Sequence, residues 1–174
     1  MNDVWTMDFM SDALADGHRF RIFTVLDIYT RECLALEARQ RFNGTEAAHI
    51  LTQLVQQRNR PEYIHCDNGS EFTSRIMDQW AWLNDVQLAF SKPGRPTENA
   101  YIESFNGRVR QECLNQHWFN HLGEVRAQLD VWKADYNLEC PHSSLEYRTP
   151  HEYASYYQEK CKSVKQLETL GIAI

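Results

Sequence analysis

Polar and apolar positions in this chain repeat with two periods, and each stretch keeps to one of them. Val4 to Phe9 alternates, with Trp5, Met7 and Phe9 on one side and Val4, Thr6 and Asp8 on the other, which predicts a strand ending in an acid. Arg19 to Asp27 and Glu32 to Ala38 are rich in Phe, Ile, Val and Leu, and Ile28-Tyr29-Thr30-Arg31 between them is short enough for a hairpin. Three antiparallel strands therefore open the fold. After Asn43-Gly44, a cap at Thr45 leads into a helix with Ala47, Ile50, Leu51, Leu54 and Val55 at helical spacing, ending near Asn59. Glu62 to Cys66 reads as a short strand that runs into the turn sequence Asp67-Asn68-Gly69, so a second acid sits at a strand end. Thr73 to Asn84 predicts a helix with Ile76, Met77, Trp80 and Leu83 on one face, and Val86 to Ala89 a brief strand.

Ser91-Lys92-Pro93-Gly94-Arg95-Pro96 is a loop by composition, and Thr97 caps a predicted helix running to about Gln116. At about 100° per residue, Ile102, Phe105, Val109 and Cys113 share one stripe of this helix, and Asn99, Glu103, Asn106 and Arg110 share a second. The two stripes are centred roughly 85° apart, so a helix that packs its apolar stripe on a sheet carries the polar one along the sheet's rim. A third acid, Glu103, is thereby aimed at the rim. A further helix places Leu122, Val125, Leu129, Trp132 and Tyr136 in one stripe, and Thr149-Pro150-His151-Glu152 is a capping box that starts a last short helix. Strands followed by alternating helices and strands predict an α/β fold: a mixed five-stranded sheet flanked by helices, with a single core over roughly residues 3–137 and a C-terminal loop and short helices over 138–174.

Composition narrows the class. A chain of 174 residues, 43% hydrophobic, suits one globular domain, and no apolar run approaches the ~18 residues of a spanning helix. The N-terminus carries acid where a secretory signal carries Lys or Arg, so a cytoplasmic address is expected, with no membrane partner. Five cysteines without a C-x-x-C pair make neither a disulfide framework nor a zinc ribbon, and Cys113, His117 and His121 lack a fourth zinc ligand. The net charge is −6, so a polyanionic substrate needs help to bind.

Three carboxylates stand out by position: Asp8, Asp67 and Glu103. Hard divalent cations take oxygen ligands from a few carboxylates and leave room for water and phosphate oxygens, and a pair of such ions drives in-line phosphoryl displacement. WTMD at Trp5 to Asp8, DNGSEF at Asp67 to Phe72, and PGRPTENAYIESFNGRVRQECLN at Pro93 to Asn115 resemble the DDE transposase and retroviral integrase superfamily. The 35 residues between Asp67 and Glu103, with a basic residue, Arg110, seven positions after the Glu, match that superfamily's D,D(35)E branch. DALADGHRFRIFTVLDIYTRECLALE at Asp12 to Glu37 and PHSSLEYRTPHEY at Pro141 to Tyr153 are similar to the OrfB-type transposases of insertion-sequence family three, so the likeness spans nearly the whole chain.

The resemblance implies an RNase H-like fold and a Mg²⁺-dependent polynucleotidyl transferase, with Mn²⁺ as a substitute and two ions held by Asp8, Asp67 and Glu103. It implies cleavage at element ends and attack of a 3′-hydroxyl on target DNA, with at least a dimer assembled on the DNA. An upstream DNA-recognition region, expected from the resemblance and absent from this sequence, would supply end recognition. Arg110, Lys92 and Arg95 are candidate phosphate contacts; Asn99 and Asn106 are placed for DNA, water or a carboxylate, and Asn68 for a supporting role. Two alternatives stay open: an RNase H-like structure-specific nuclease that cuts without joining, and an inactive dimerisation or DNA-scaffolding module. Two departures from the motif concern charge: Cys140 stands where Arg is usual before Pro-His, and Glu146 where Gly is usual before Tyr.

Overall fold

The computed structural model describes residues 3–91 and 100–169, with side chains up to residue 160. The described residues form a five-stranded mixed sheet of β1 (Val4–Ala13), β2 (Arg19–Asp27), β3 (Cys33–Arg39), β4 (Tyr63–Cys66) and β5 (Gln87–Phe90), in the order β3-β2-β1-β4-β5. β1, β2 and β3 pair antiparallel, while β4 lies parallel to β1 and β5 parallel to β4. Parallel neighbours need crossovers, which α1 (Gly44–Gln57) and α2 (Arg75–Leu83) supply.

The two faces of the sheet bury separate cores, as a sheet apolar on both sides requires. On one, Trp5, Met7, Phe23, Val25 and Ile64 pack with α1 and α2. On the other, Met10, Ile22, Leu26 and Leu36 pack with α3 (Ala100–Glu112) and α4 (Leu122–Leu138). Ile102, Phe105, Val109 and Cys113 are all buried, as their spacing predicts, and so are Val125, Leu129, Trp132 and Tyr136 of α4. Burial raises the Cys33 and Cys66 thiols to about 12 and Cys113 to about 11, which makes them packing groups and not nucleophiles.

Several boundaries depart from expectation. β1 does not end at its acid: β2 continues to face it through Ala13↔Arg19, so Asp8 lies mid-strand opposite Thr24. What does end near Asp8 is the parallel pairing to β4, whose last registered pair is Thr6↔His65. The cap of α1 is Asn43 rather than Thr45, because Asn43 and Glu46 exchange side-chain-to-backbone hydrogen bonds of 2.9 and 3.0 Å. In α2 the buried residues are Met77, Trp80 and Ala81, while Ile76 and Leu83 stay exposed. The helix turns its small Ala81 inward and anchors on α1 through Trp80 Nε1, which donates to Thr52 Oγ1 at 2.9 Å. α3 stops at Glu112, followed by a 3₁₀ turn over Leu114–Gln116.

The Thr149/Glu152 capping box forms as predicted, but the helix it starts, α5 (Pro150–Thr169), has 20 residues and is not short. Just before it, Glu146 and Tyr147 both take left-handed backbone angles, φ 57° and 58°. That conformation is free of steric cost only for Gly, which gives a physical reason for Gly being usual at position 146.

Candidate active site

Asp8 and Asp67 reach one rim of the sheet by register. β1 and β4 are paired through Thr6↔His65, and each acid lies two residues further on, so the two are level where the strands part. Trp5, Met7 and Ile64 face the core under α1 and α2, and Met10 faces the core under α3 and α4. Asp8, in phase with Met10, therefore faces α3. From α3, Asn106 Nδ2 donates to Asp8 Oδ2 at 2.8 Å, while the Phe9 N–H holds Oδ1 at 2.7 Å. Glu103 precedes Asn106 by one helical turn on the same side. A cleft of about 430 Å³ runs between strand and helix, lined by Asp8, Ser11, Glu103, Asn106, Gly107 and Arg110 among others.

The electrostatics show how these acids bear on one another. Burial pushes the Asp8 carboxyl up from its ordinary range, and the charges of Asp67 and Glu103 push it further, against the pull of the Phe9 and Asn106 hydrogen bonds. Asp8 is thus a half-buried acid with two negative neighbours. The three do not close on one point: among the described residues, no group of three acidic, His or Cys side chains lies close enough to hold an ion together.

The donor chemistry fits a hard divalent cation. All three side chains are oxygen ligands, and Asn106 Oδ1, beside Asp8, is buried without a partner among the described residues, an amide oxygen of the kind that ligates such ions or accepts from their waters.

The turn that carries Asp67 is built around close backbone contacts. Gly69 N–H donates to Asp67 Oδ1 at 2.9 Å, and a Cβ on Gly69 would stand 2.9 Å from that same oxygen, so a side chain there pushes the carboxylate out of its place over the turn. Asn68, expected in a supporting role, donates to the Ser91 carbonyl at 3.0 Å and ties the turn to the end of β5. Arg110 reaches back over β1, donating to the Ser11 carbonyl at 2.9 Å with Asp12 3.7 Å away, and keeps 44% of its side chain exposed. Lys92, Arg95 and Asn99 lie outside the described residues. His117 Nδ1 sits 2.8 Å from the Cys113 carbonyl and the His121 side chain caps α4.

Two contacts escaped the sequence reading. Arg21 of β2 pairs with Glu71, and its guanidinium lies 4.2 Å from the centroid of the Phe9 ring. The signal was present as an Arg inside the apolar run RFRIFTVLD and a Glu inside DNGSEF, but nothing in either segment says that they meet.

Comparison with known proteins is consistent with this geometry. Two family models, both described as integrase core domain, match residues 1–96 and 84–150. An uncharacterized 31.7 kDa protein of insertion element IS407 from Burkholderia multivorans is 44% identical over 90% of this chain and 57% of its own length. A 39.2 kDa protein of insertion element IS476 from Xanthomonas euvesicatoria is 41% identical over 90% of this chain and 45% of its own length. The chain thus spans about half the length of these curated relatives. Among solved structures, the HTLV-2 integrase catalytic core in complex with magnesium superposes with a TM-score of 0.70 at 13% identity, covering 87% of this chain and 95% of that one. The catalytic core of BIV integrase does so at 0.69 and 17% identity, covering 92% and 99%. The fold is therefore the RNase H-like fold of integrase cores, and this chain belongs to the integrase core domain family, beside proteins of bacterial insertion elements.

Proposed function

We propose that this chain is the catalytic part of a DNA transposase, cutting at the ends of a mobile element and joining the freed 3′-hydroxyl to a target strand. The observation that carries the reading is the level placement of Asp8 and Asp67 at one rim, with Glu103 acting on Asp8 from α3. Relatives named as transposases, those of IS904 from Lactococcus lactis and IS150 from Escherichia coli, support DNA as the substrate. The magnesium complex of the HTLV-2 core supports a divalent cation.

Asp8, Asp67 and Glu103 would hold Mg²⁺, with Mn²⁺ as a substitute, and a pair of such ions would supply Lewis-acid stabilisation of the charge that builds on phosphate oxygens during in-line displacement. The protein's own groups prepare the site. Asn106 and the Phe9 N–H fix the Asp8 carboxylate toward the cleft, and the Gly69 N–H takes one oxygen of Asp67. Arg110, steadied by the Ser11 carbonyl in the same cleft, is assigned to a backbone phosphate. Lys92, Arg95 and Asn99 are assigned DNA contacts on the sequence motif alone. A net charge of −6 leaves little to hold DNA unaided, so we assign end recognition, and assembly of at least a dimer on DNA, to a DNA-recognition region outside this core.

The test is joining of pre-cut element ends with free 3′-hydroxyls to a target in Mn²⁺. Asp67→Asn is expected to lower joining about 10³-fold or more with an unchanged circular dichroism spectrum. Mn²⁺ should raise the melting temperature of the wild type and not of Asp67→Asn. Full joining by Asp67→Asn overturns the reading, and cutting without joining would make the protein a nuclease instead.

A further inference from the structure

Arg21 touches both segments that carry the first two acids. Its charge pairs with Glu71, four residues after Asp67 in the same turn. Its guanidinium lies over Phe9, the residue after Asp8, whose N–H binds the Asp8 carboxylate. The two segments also meet directly: the rings of Phe9 and Phe72 stack at 5.0 Å with an interplanar angle of 14°. Phe9 is therefore held by Arg21 and by Phe72, which follows Glu71. Further hydrogen bonds make this turn one body. Phe72 and Thr73 N–H donate to the Gly69 carbonyl, and Ser74 Oγ donates to the Glu71 carbonyl at 2.8 Å. A shift of Glu71 is thus passed to Gly69, and from Gly69 to the Asp67 oxygen that its N–H holds. Both partners are half-buried, with 31% and 17% of their side chains exposed, where an ion pair is screened less than on an open surface.

We propose that Arg21 and Glu71 form a positioning pair that sets the separation between Asp8 and Asp67. The inference rests on the reading that those acids bind a divalent cation. Neither member of the pair touches the ion; each acts through the segment that carries a ligand, as outer-shell partners of metal ligands do. Register brings the two acids level, and the pair then fixes how far the Asp67 turn stands from β1.

The experiment is Mn²⁺ binding by calorimetry on the whole chain, alongside chemical denaturation. Glu71→Gln and Arg21→Met are each expected to raise the Mn²⁺ Kd about tenfold. Arg21→Lys, which keeps the charge but loses the flat guanidinium over Phe9, should fall between these and the wild type. The exchanged pair Arg21→Glu with Glu71→Arg should recover most of the affinity. A merely structural pair would lower denaturation stability in every variant and leave the Kd of the folded protein at the wild-type value, and that result overturns the proposal. So does an exchanged pair that binds no better than the single variants. The underlying reading fails separately: it falls, and the pair's role with it, if the wild type does not bind Mn²⁺ or Asp67→Asn binds it equally well. Wild-type binding that Asp67→Asn abolishes, with Glu71→Gln and Arg21→Met unchanged in Kd, sinks the positioning pair alone.

Discussion

The segments bearing Asp8 and Asp67 are tied to each other several times over, whereas among the described residues the helix bearing Glu103 is tied to only one of them. Between the first two run a parallel register, a stacked Phe9–Phe72 pair and the shared contacts of Arg21. Helix α3 reaches the same rim through Asn106 on Asp8 and Arg110 on the Ser11 carbonyl, both partners lying on β1, and through its apolar stripe on the sheet. Strand pairing sets a separation by backbone hydrogen bonds repeated at every other residue. A helix lying across a sheet can change its distance by repacking side chains. Asp8 on β1 and Asp67 just past β4 thus form the built half of the proposed site, and the helix-borne acid the half whose position depends on packing.

Among substitutions that keep all three acids, the largest expected loss of joining breaks the built half without touching the core. Gly69→Ala puts a methyl 2.9 Å from Asp67 Oδ1, and a displaced ligand of this kind should cost about 100-fold in joining rate while the fold persists, which single-turnover assays and circular dichroism together check. Next comes the core beneath each half. Phe72→Ala and Phe105→Ala should each cost about 3–5 kcal/mol in urea denaturation. At urea-free conditions where both remain folded, Phe72→Ala is expected to weaken Mn²⁺ binding more, since Phe72 stacks on the residue beside Asp8.

Asp8 itself sharpens the comparison through pH. Its carboxyl is raised in the folded state by burial and by two like charges, so the folded chain takes up a proton more readily than the unfolded one. The stabilising contribution of this group is therefore largest at acid pH and is lost as pH rises through the raised value. Metal-free Asp8→Asn should melt above the wild type at pH 7, with the gap closing on acidification; a variant melting at or below the wild type at pH 7 would contradict a charge at Asp8 that burial and its neighbours destabilise. The smallest effect lies outside both halves. Glu146→Gly relieves a left-handed backbone and should stabilise by about 1 kcal/mol, a rise of roughly 2–4 °C in melting temperature, with no change in Mn²⁺ binding.

Much of the fold was legible in the chain. The three N-terminal strands, the stripes of α3 and α4 and the capping box before α5 all follow from period and cap chemistry, which are local. The misreadings share a cause. β1 was cut at Asp8 because a polar residue looked like an end, but partner β2 goes on pairing beyond it. Ile76 and Leu83 fit the apolar period of α2, yet which part of a wide stripe is buried depends on where the neighbouring helix stands.

The sequence by itself determined which residue types are candidates for the chemistry, their spacing along the chain and the elements on which they ride. Those are properties of short stretches, set by side-chain chemistry and backbone preference. Tertiary structure alone decided that Asp8 and Asp67 lie level, that Asn106 rather than Asn68 holds an acid, and that Arg21 meets Glu71 across 50 residues. Contacts between distant segments depend on strand register and helix packing, and no local pattern encodes the partner.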